Sequence, residues 1–171
     1  VPAAVLFDLH VGDARIRADA QAGWLACEAA GAQVAQGNVG AGAGASVGKL
    51  FGIARAMKGG VGTASVTAHG VTVGALIACN AVGDVLDPDT AQVVAGESTA
   101  DGRNLLDSRR ALLRGELPQS VLPGTNTTIG VVATDAVITK VQAQRLAVAA
   151  HDGLARSINP VHTQLDGDTL F

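Results

Sequence analysis

Residues 61–79 constrain the fold most. Two runs of strand length, 61–68 and 71–79, are rich in Val, Thr and Ala and are separated only by His69-Gly70. A connection that short predicts a tight hairpin. What can pack on such a pair is limited by side-chain size. The sequence is 48% apolar yet only 2% aromatic, with Ala, Val and Gly supplying most of the apolar part. A core of small residues needs closely approaching backbones, as in sheets pressed against helices. At 171 residues the chain is read as a single domain, 1–171, with a substantial core.

The rest of the chain supplies the helices. Asp19 is placed to cap a helix over 20–30, with Gly31 as its C-terminal punctuation. A glycine-dense turn follows, "GNVGAGAGASVGKL". Residues 84–124 are more polar and read as a surface connection, with "DVLDP" opening a loop and a short helix over 105–113. After "GTNT" a strand runs to about Thr134. "TKVQ" is a capping box, in which Thr139 caps and Gln142 reaches back. The helix it opens, Lys140–Ser157, carries Val141, Leu146, Ala149, Ala150 and Leu154 on one side and ends at Asn159-Pro160. The opening "VPAAVLFDLH" reads as a buried strand over 1–9 already under way, so an N-terminal part is expected to be missing. No internal repeat is visible, and the mixture is α/β or α+β.

Charge and composition remove several functions. A net charge of −3, no Tyr and one Trp offer neither the basic field nor the basic-aromatic interleaving of a nucleic-acid binder. No apolar run reaches the ~18–20 residues of a membrane span. Cys27 and Cys79 lack CxxC spacing and a neighbouring His, and read as buried free thiols suited to a reducing, cytoplasmic setting. Gly48-Lys49 resembles the end of a phosphate loop, but Ala43 stands where its first glycine belongs and Leu50 where Ser or Thr must hold a metal. A dinucleotide fingerprint fails too, since Gly42-x-Gly44 runs on into Ser46-Val47. His10, His69, His151 and His162 have no zinc spacing, so neither cofactor nor metal is expected. His151-Asp152 reads equally as a relay or as surface polarity.

Two stretches keep chemical interest. In Asp166-Gly167-Asp168 the glycine permits a turn that aims both carboxylates one way, although an ordinary D-G turn explains it as well. The further oxygens of a calcium loop are missing. In "GTNTTIGVVAT" a polar segment becomes a strand at Thr127. Threonine is common in strands, yet there is no GxSxG elbow elsewhere, and a Thr at a strand mouth can become a nucleophile. If the Asn126–Thr127 bond is cut, the new α-amine, with a pKa of about 7.7–8.0 in model compounds, is its base.

Taken together, "GNVGAGAGASVGKLFG", "GVTVGALIACNAVGDV", "GTNTTIGVVATDA", "AHDGLARSINPVHT" and "DGDTLF" resemble, in order and spacing over nearly the whole chain, the self-processing N-terminal-nucleophile hydrolases. That family comprises L-aminopeptidase/D-esterases and nylon-oligomer (6-aminohexanoate oligomer) hydrolases. The resemblance implies a four-layer α-β-β-α sandwich and a precursor cut once before its nucleophile. Residues 1–126 would then be part of the N-terminal subunit and 127–171 the start of the C-terminal one, in a homo-oligomer. It makes Thr127 the nucleophile, Asn126 the residue before the cut, Asn80 the oxyanion-stabilising residue and Lys49 a lysine near the centre. Asp166 and Asp168 match the acidic pair that contacts the nucleophile in the nylon-hydrolase branch; the aminopeptidase branch typically has Ser as nucleophile, with Ser and Glu downstream.

The chain departs from the family at Phe7, where some members place a Tyr whose hydroxyl helps bind the oxyanion; peptide N–H groups of the glycine turn are the substitute expected here. It also stops before the family's last strand, so it is expected to be partial at both ends. The activity implied is hydrolysis of an amide or ester bond in a short peptide or amino-acid oligomer. Acyl transfer on the same fold and non-catalytic small-molecule binding are the competing readings.

Overall fold

The computed structural model of the chain describes residues 4–119 and 121–171. Helix α1 (Ala20–Glu28) begins where expected, because Asp19 accepts a hydrogen bond from the Ala22 N–H at 2.8 Å. Beyond the glycine turn, β1 (Ser46–Val47) pairs antiparallel with β2 (Met57–Lys58). Next come β3 (Gly60–Ala68) and β4 (Val71–Asn80), the hairpin read from the sequence. His69 at φ 51° and Gly70 at φ 77° close it, both in the left-handed region that a tight two-residue hairpin turn uses. Then follow β5 (Asp84–Leu86), β6 (Val93–Ala95), α2 (Ser108–Leu113), β7 (Thr127–Thr134), α3 (Lys140–Ser157), β8 (Ile158–Asn159) and β9 (Thr169–Leu170).

The main sheet has the order β3-β4-β7-β9, and a smaller one β6-β5-β8. β7 pairs antiparallel with β4 and parallel with β9. A parallel neighbour cannot follow through a tight turn and needs a crossover, which α3 provides. Both halves of the capping box at its start are present: Thr139 Oγ1 accepts from Gln142 N, and Gln142 Oε1 accepts from Thr139 N at 2.8 Å. Its C-terminal half makes the core, where Leu154 packs with Ile158, Leu170, Val47 and Ala81. Val141, expected on the same side, is 75% exposed. No described helix is long and apolar enough to cross a membrane.

Three expectations are corrected. No strand forms over 4–9, and Val5 is 83% exposed; residues 1–3 lie outside the described residues. An apolar run becomes a strand only when another strand satisfies its backbone, and no described strand pairs with this one. Cys27 is exposed rather than buried, because α1 buries none of its residues. Segment 84–124 is a surface connection only in part: most of its described residues are exposed, but it contributes β5, β6 and α2, and its Ala111 packs in a second core with Leu50, Phe51 and Val82.

Part of the polarity that made this segment look external, at Asp84, Glu97 and Ser108, is internal wiring. Asp84 accepts from Glu97 N at 2.9 Å and from Ser108 N at 2.6 Å, and Glu97 Oε2 accepts from Phe51 N at 2.9 Å. Buried polar side chains are tolerated when they satisfy backbone donors in this way.

Candidate active site

The register of the main sheet sets the site. Asn80, the last residue of β4, lies opposite Thr127, the first of β7. On the other side of the same strand mouth, Asn126 bridges to Asp166. Thr127 is 6% exposed, and Asn80, Asn126 and Thr128 are fully buried.

Lys49 reaches this point from the glycine turn. Its own N–H donates to Val82 O at 2.8 Å and that of Gly48 to Gly83 O at 2.9 Å, which fixes the turn against the chain just past β4. Gly48 has φ +68°, and a Cβ there would overlap the Glu97 backbone, so no side chain fits at the bend. Lys49 Nζ donates to Asn80 O and to Asn80 Oδ1, both at 2.9 Å. Lys49 as a residue is 4% exposed, and burial pulls its pKa down to about 8 against the opposing charge of Asp166.

The Asn80 side chain is saturated. Oδ1 also accepts from Ser46 N at 3.0 Å, and Nδ2 donates to Phe7 O at 3.3 Å and to Thr125 O at 3.2 Å. The peptide N–H groups of Ser46, Gly48 and Lys49 are therefore all committed, and these three offer no substitute for the hydroxyl absent at Phe7.

The carboxylates of the Asp-Gly-Asp turn point to different partners. Asp166 accepts from Val82 N at 3.1 Å and from Thr163 Oγ1 at 2.8 Å, and burial raises its pKa. Asp168 accepts from Thr128 N at 2.8 Å and sits 2.9 Å from His162 Nδ1. Neither makes a hydrogen bond to Thr127 among the described residues. The Thr127 hydroxyl instead donates to the carbonyl oxygen of Asn126 at 2.5 Å, and Gly167 N donates to the same oxygen at 2.9 Å.

Beside Lys49 and Thr125 opens a cavity of about 450 Å³, mostly apolar, with Phe7, Ile53, Val121 and Leu122 in its walls. Its position and lining suit a small organic acyl group.

All six residues singled out from the sequence (Lys49, Asn80, Asn126, Thr127, Asp166 and Asp168) thus meet at one end of the main sheet. Sequence reasoning missed His162 and Thr163, although both stand within six residues of the aspartates they touch. His151 reaches the region only through its ring, edge-on to His162 at 5.0 Å. Glu97, whose carboxylate accepts from the N–H of Phe51 two residues past Lys49, carries no local signal at all.

The sequence profile of peptidase family S58 matches residues 1–171. The chain belongs to this family. Among its relatives, an uncharacterized aminopeptidase of Mycobacterium leprae is 47% identical over 180 residues, covering 100% of this chain and 48% of that protein. A 6-aminohexanoate-oligomer endohydrolase of Kocuria sp. is 31% identical over 175 residues, covering 100% and 48%. The chain thus spans about half the length of the curated relatives it matches. In structure it resembles the L-aminopeptidase D-Ala-esterase/amidase of Ochrobactrum anthropi, with a TM-score of 0.51 and 25% identity over 82% of this chain and 32% of that one. That protein is described as a prototype of the serine aminopeptidases and a variant of the Ntn hydrolase fold. A protein of Pyrococcus horikoshii OT3 aligns with a TM-score of 0.55 and 28% identity over 88% of this chain and 35% of that one. The mixed α/β architecture of this chain is of that fold.

Proposed function

We propose that the complete protein is a self-processing amidohydrolase that uses Thr127 as an N-terminal nucleophile. The observation that carries this reading is the contact between the buried Thr127 hydroxyl and the carbonyl of the residue before it. A hydroxyl held on its own upstream carbonyl is next to the atom it must attack in an N-to-O acyl shift. Membership of a peptidase family, and relatives named as an aminopeptidase and an oligomer endohydrolase, support the amide hydrolysis in this reading.

The reaction proceeds in two stages. In maturation, Thr127 Oγ1 adds to the Asn126 carbonyl carbon, the C–N bond breaks, and Thr127 N takes up a proton. Water then hydrolyses the ester, leaving the Asn126 carboxylate and a free Thr127 amine. In turnover that amine accepts the hydroxyl proton as Oγ1 attacks a substrate amide or ester, and it returns the proton to the leaving group. Water releases the acyl-enzyme. Residues 125–126 end a free chain after the cut, which releases Asn80 Nδ2 from Thr125 O for the substrate oxyanion; such a donor is typically worth ~3–4 kcal/mol. Lys49 holds the Asn80 amide in place, and Asp168 holds the peptide next to the nucleophile. Substrates are short peptides, amides, esters or amino-acid oligomers whose acyl part enters the cavity beside Lys49. The assembly is a homo-oligomer of cleaved chains.

The reading is tested by turnover of short peptide amides and 6-aminohexanoate oligomers by the complete protein. Thr127→Ala is expected to retain less than about a thousandth of the wild-type rate. Undiminished turnover by that variant contradicts it.

A further inference from the structure

Building a tetrahedral centre at Asn126 puts negative charge on its carbonyl oxygen, and a donor must already be aimed there. Asn80 is not that donor in the uncut chain: its two amide hydrogens go to Phe7 O and Thr125 O. The oxygen of Asn126 instead accepts from the Gly167 N–H at 2.9 Å and from the hydroxyl that is about to attack.

We propose that the Gly167 peptide N–H is the oxyanion donor of self-cleavage, and that Asn80 serves only the later turnover. This deepens the self-processing reading and rests on it. As Oγ1 bonds to the Asn126 carbon, the carbonyl π pair moves onto the oxygen held by Gly167, and the hydroxyl proton is the one that passes to Thr127 N. When the centre collapses, the pair returns, the C–N bond breaks, and Thr127 N takes up a proton.

The geometry around Gly167 supports this. Asp166 is tied to Val82 N and Thr163, and Asp168 to Thr128 N and His162, so both neighbours of Gly167 are held by their side chains. Asn126 Nδ2 donates to Leu165 O at 3.3 Å, which binds the scissile residue to the same turn. The peptide is thereby fixed before any charge develops, which is what makes such a donor effective. A Cβ at 167 would stand 3.1 Å from Thr127 Oγ1, a tight contact that the hydroxyl relieves by giving a few tenths of an ångström. The aspartates are thus positioning residues for maturation, aiming a backbone N–H rather than touching the reacting hydroxyl.

The test follows cleavage of newly made complete protein by intact mass in a cell-free translation time course. Gly167→Pro removes the N–H; replacing Gly167 by glycolic acid turns the amide into an ester and removes only that hydrogen; Gly167→Ala keeps it. Cleavage of the first two is expected to slow by about 100-fold or more, and the Ala variant to be faster than either. Far-UV circular dichroism reports folding, and if the Pro variant does not fold, the ester variant decides. A folded variant without the N–H that cleaves at the wild-type rate overturns this inference while self-processing stands. A wild-type chain that never cleaves overturns both.

Discussion

With Nζ 2.9 Å from both the carbonyl and the side-chain oxygen of Asn80, Lys49 fixes the amide that faces the mouth of β7. Lys49→Ala leaves that amide free to rotate. The expected result in cleaved protein is a fall in kcat of about 100-fold, the scale of a misplacement near 1 Å, with KM little changed; an unchanged kcat contradicts the role. Glu97 braces the backbone just past Lys49, at Phe51. It is fully buried, and burial raises its carboxyl from 4.5 to about 7 against the hydrogen bond from Phe51. Between pH 4.5 and 7 the folded chain therefore keeps a proton that the unfolded chain has lost. The stability this contributes is fully present below the unfolded value and disappears as pH rises through about 7. Glu97→Gln keeps an acceptor for Phe51 N and does not titrate. Its unfolding free energy relative to wild type should rise across that window in urea titrations; a constant difference contradicts the assignment.

At the scale of elements, α3 holds the crossover between β7 and β9 through its C-terminal half. Leu154→Ala is expected to cost about 2–4 kcal/mol in denaturant unfolding. Val141→Ala, on the exposed first turn, should stay within about 0.5 kcal/mol; equal losses contradict the packing described. What was legible in the sequence follows the same division. The β3–β4 hairpin, the Asp19 cap and the Thr139–Gln142 box are set by residues a few positions apart, and all are found where read. Asp84, Glu97 and Ser108 were read as surface because polarity is local information, while the backbone N–H groups that Asp84 and Glu97 accept from lie 13 to 46 residues away. The strand expected over the first nine residues is absent over 4–9 for a related reason, since a strand's existence depends on a partner the run does not encode. The site shows both sides. Thr127 at a strand mouth was visible, but Asn80 was singled out only through a family resemblance and its register with Thr127 only by the sheet, and the Gly167 N–H carries no side chain to notice.

For the whole molecule, a cut at Asn126–Thr127 divides the main sheet between two chains. β4 falls on one side and β7 on the other, yet they are paired from Val73–Thr134 to Asn80–Thr127. Those hydrogen bonds and the core behind them should keep the pieces together. The cleaved protein is expected to elute as one species in native size-exclusion chromatography and to separate only in denaturant; separation under native conditions contradicts the shared sheet. Whether the cut occurs is the question on which the rest depends. The most direct measurement is the intact mass of the complete, freshly purified protein beside its Thr127→Ala variant, with the new N-terminus sequenced. The account predicts two fragments in the wild type, one beginning at Thr127, and a single uncut chain in the variant. A wild-type chain that remains whole on prolonged incubation contradicts it.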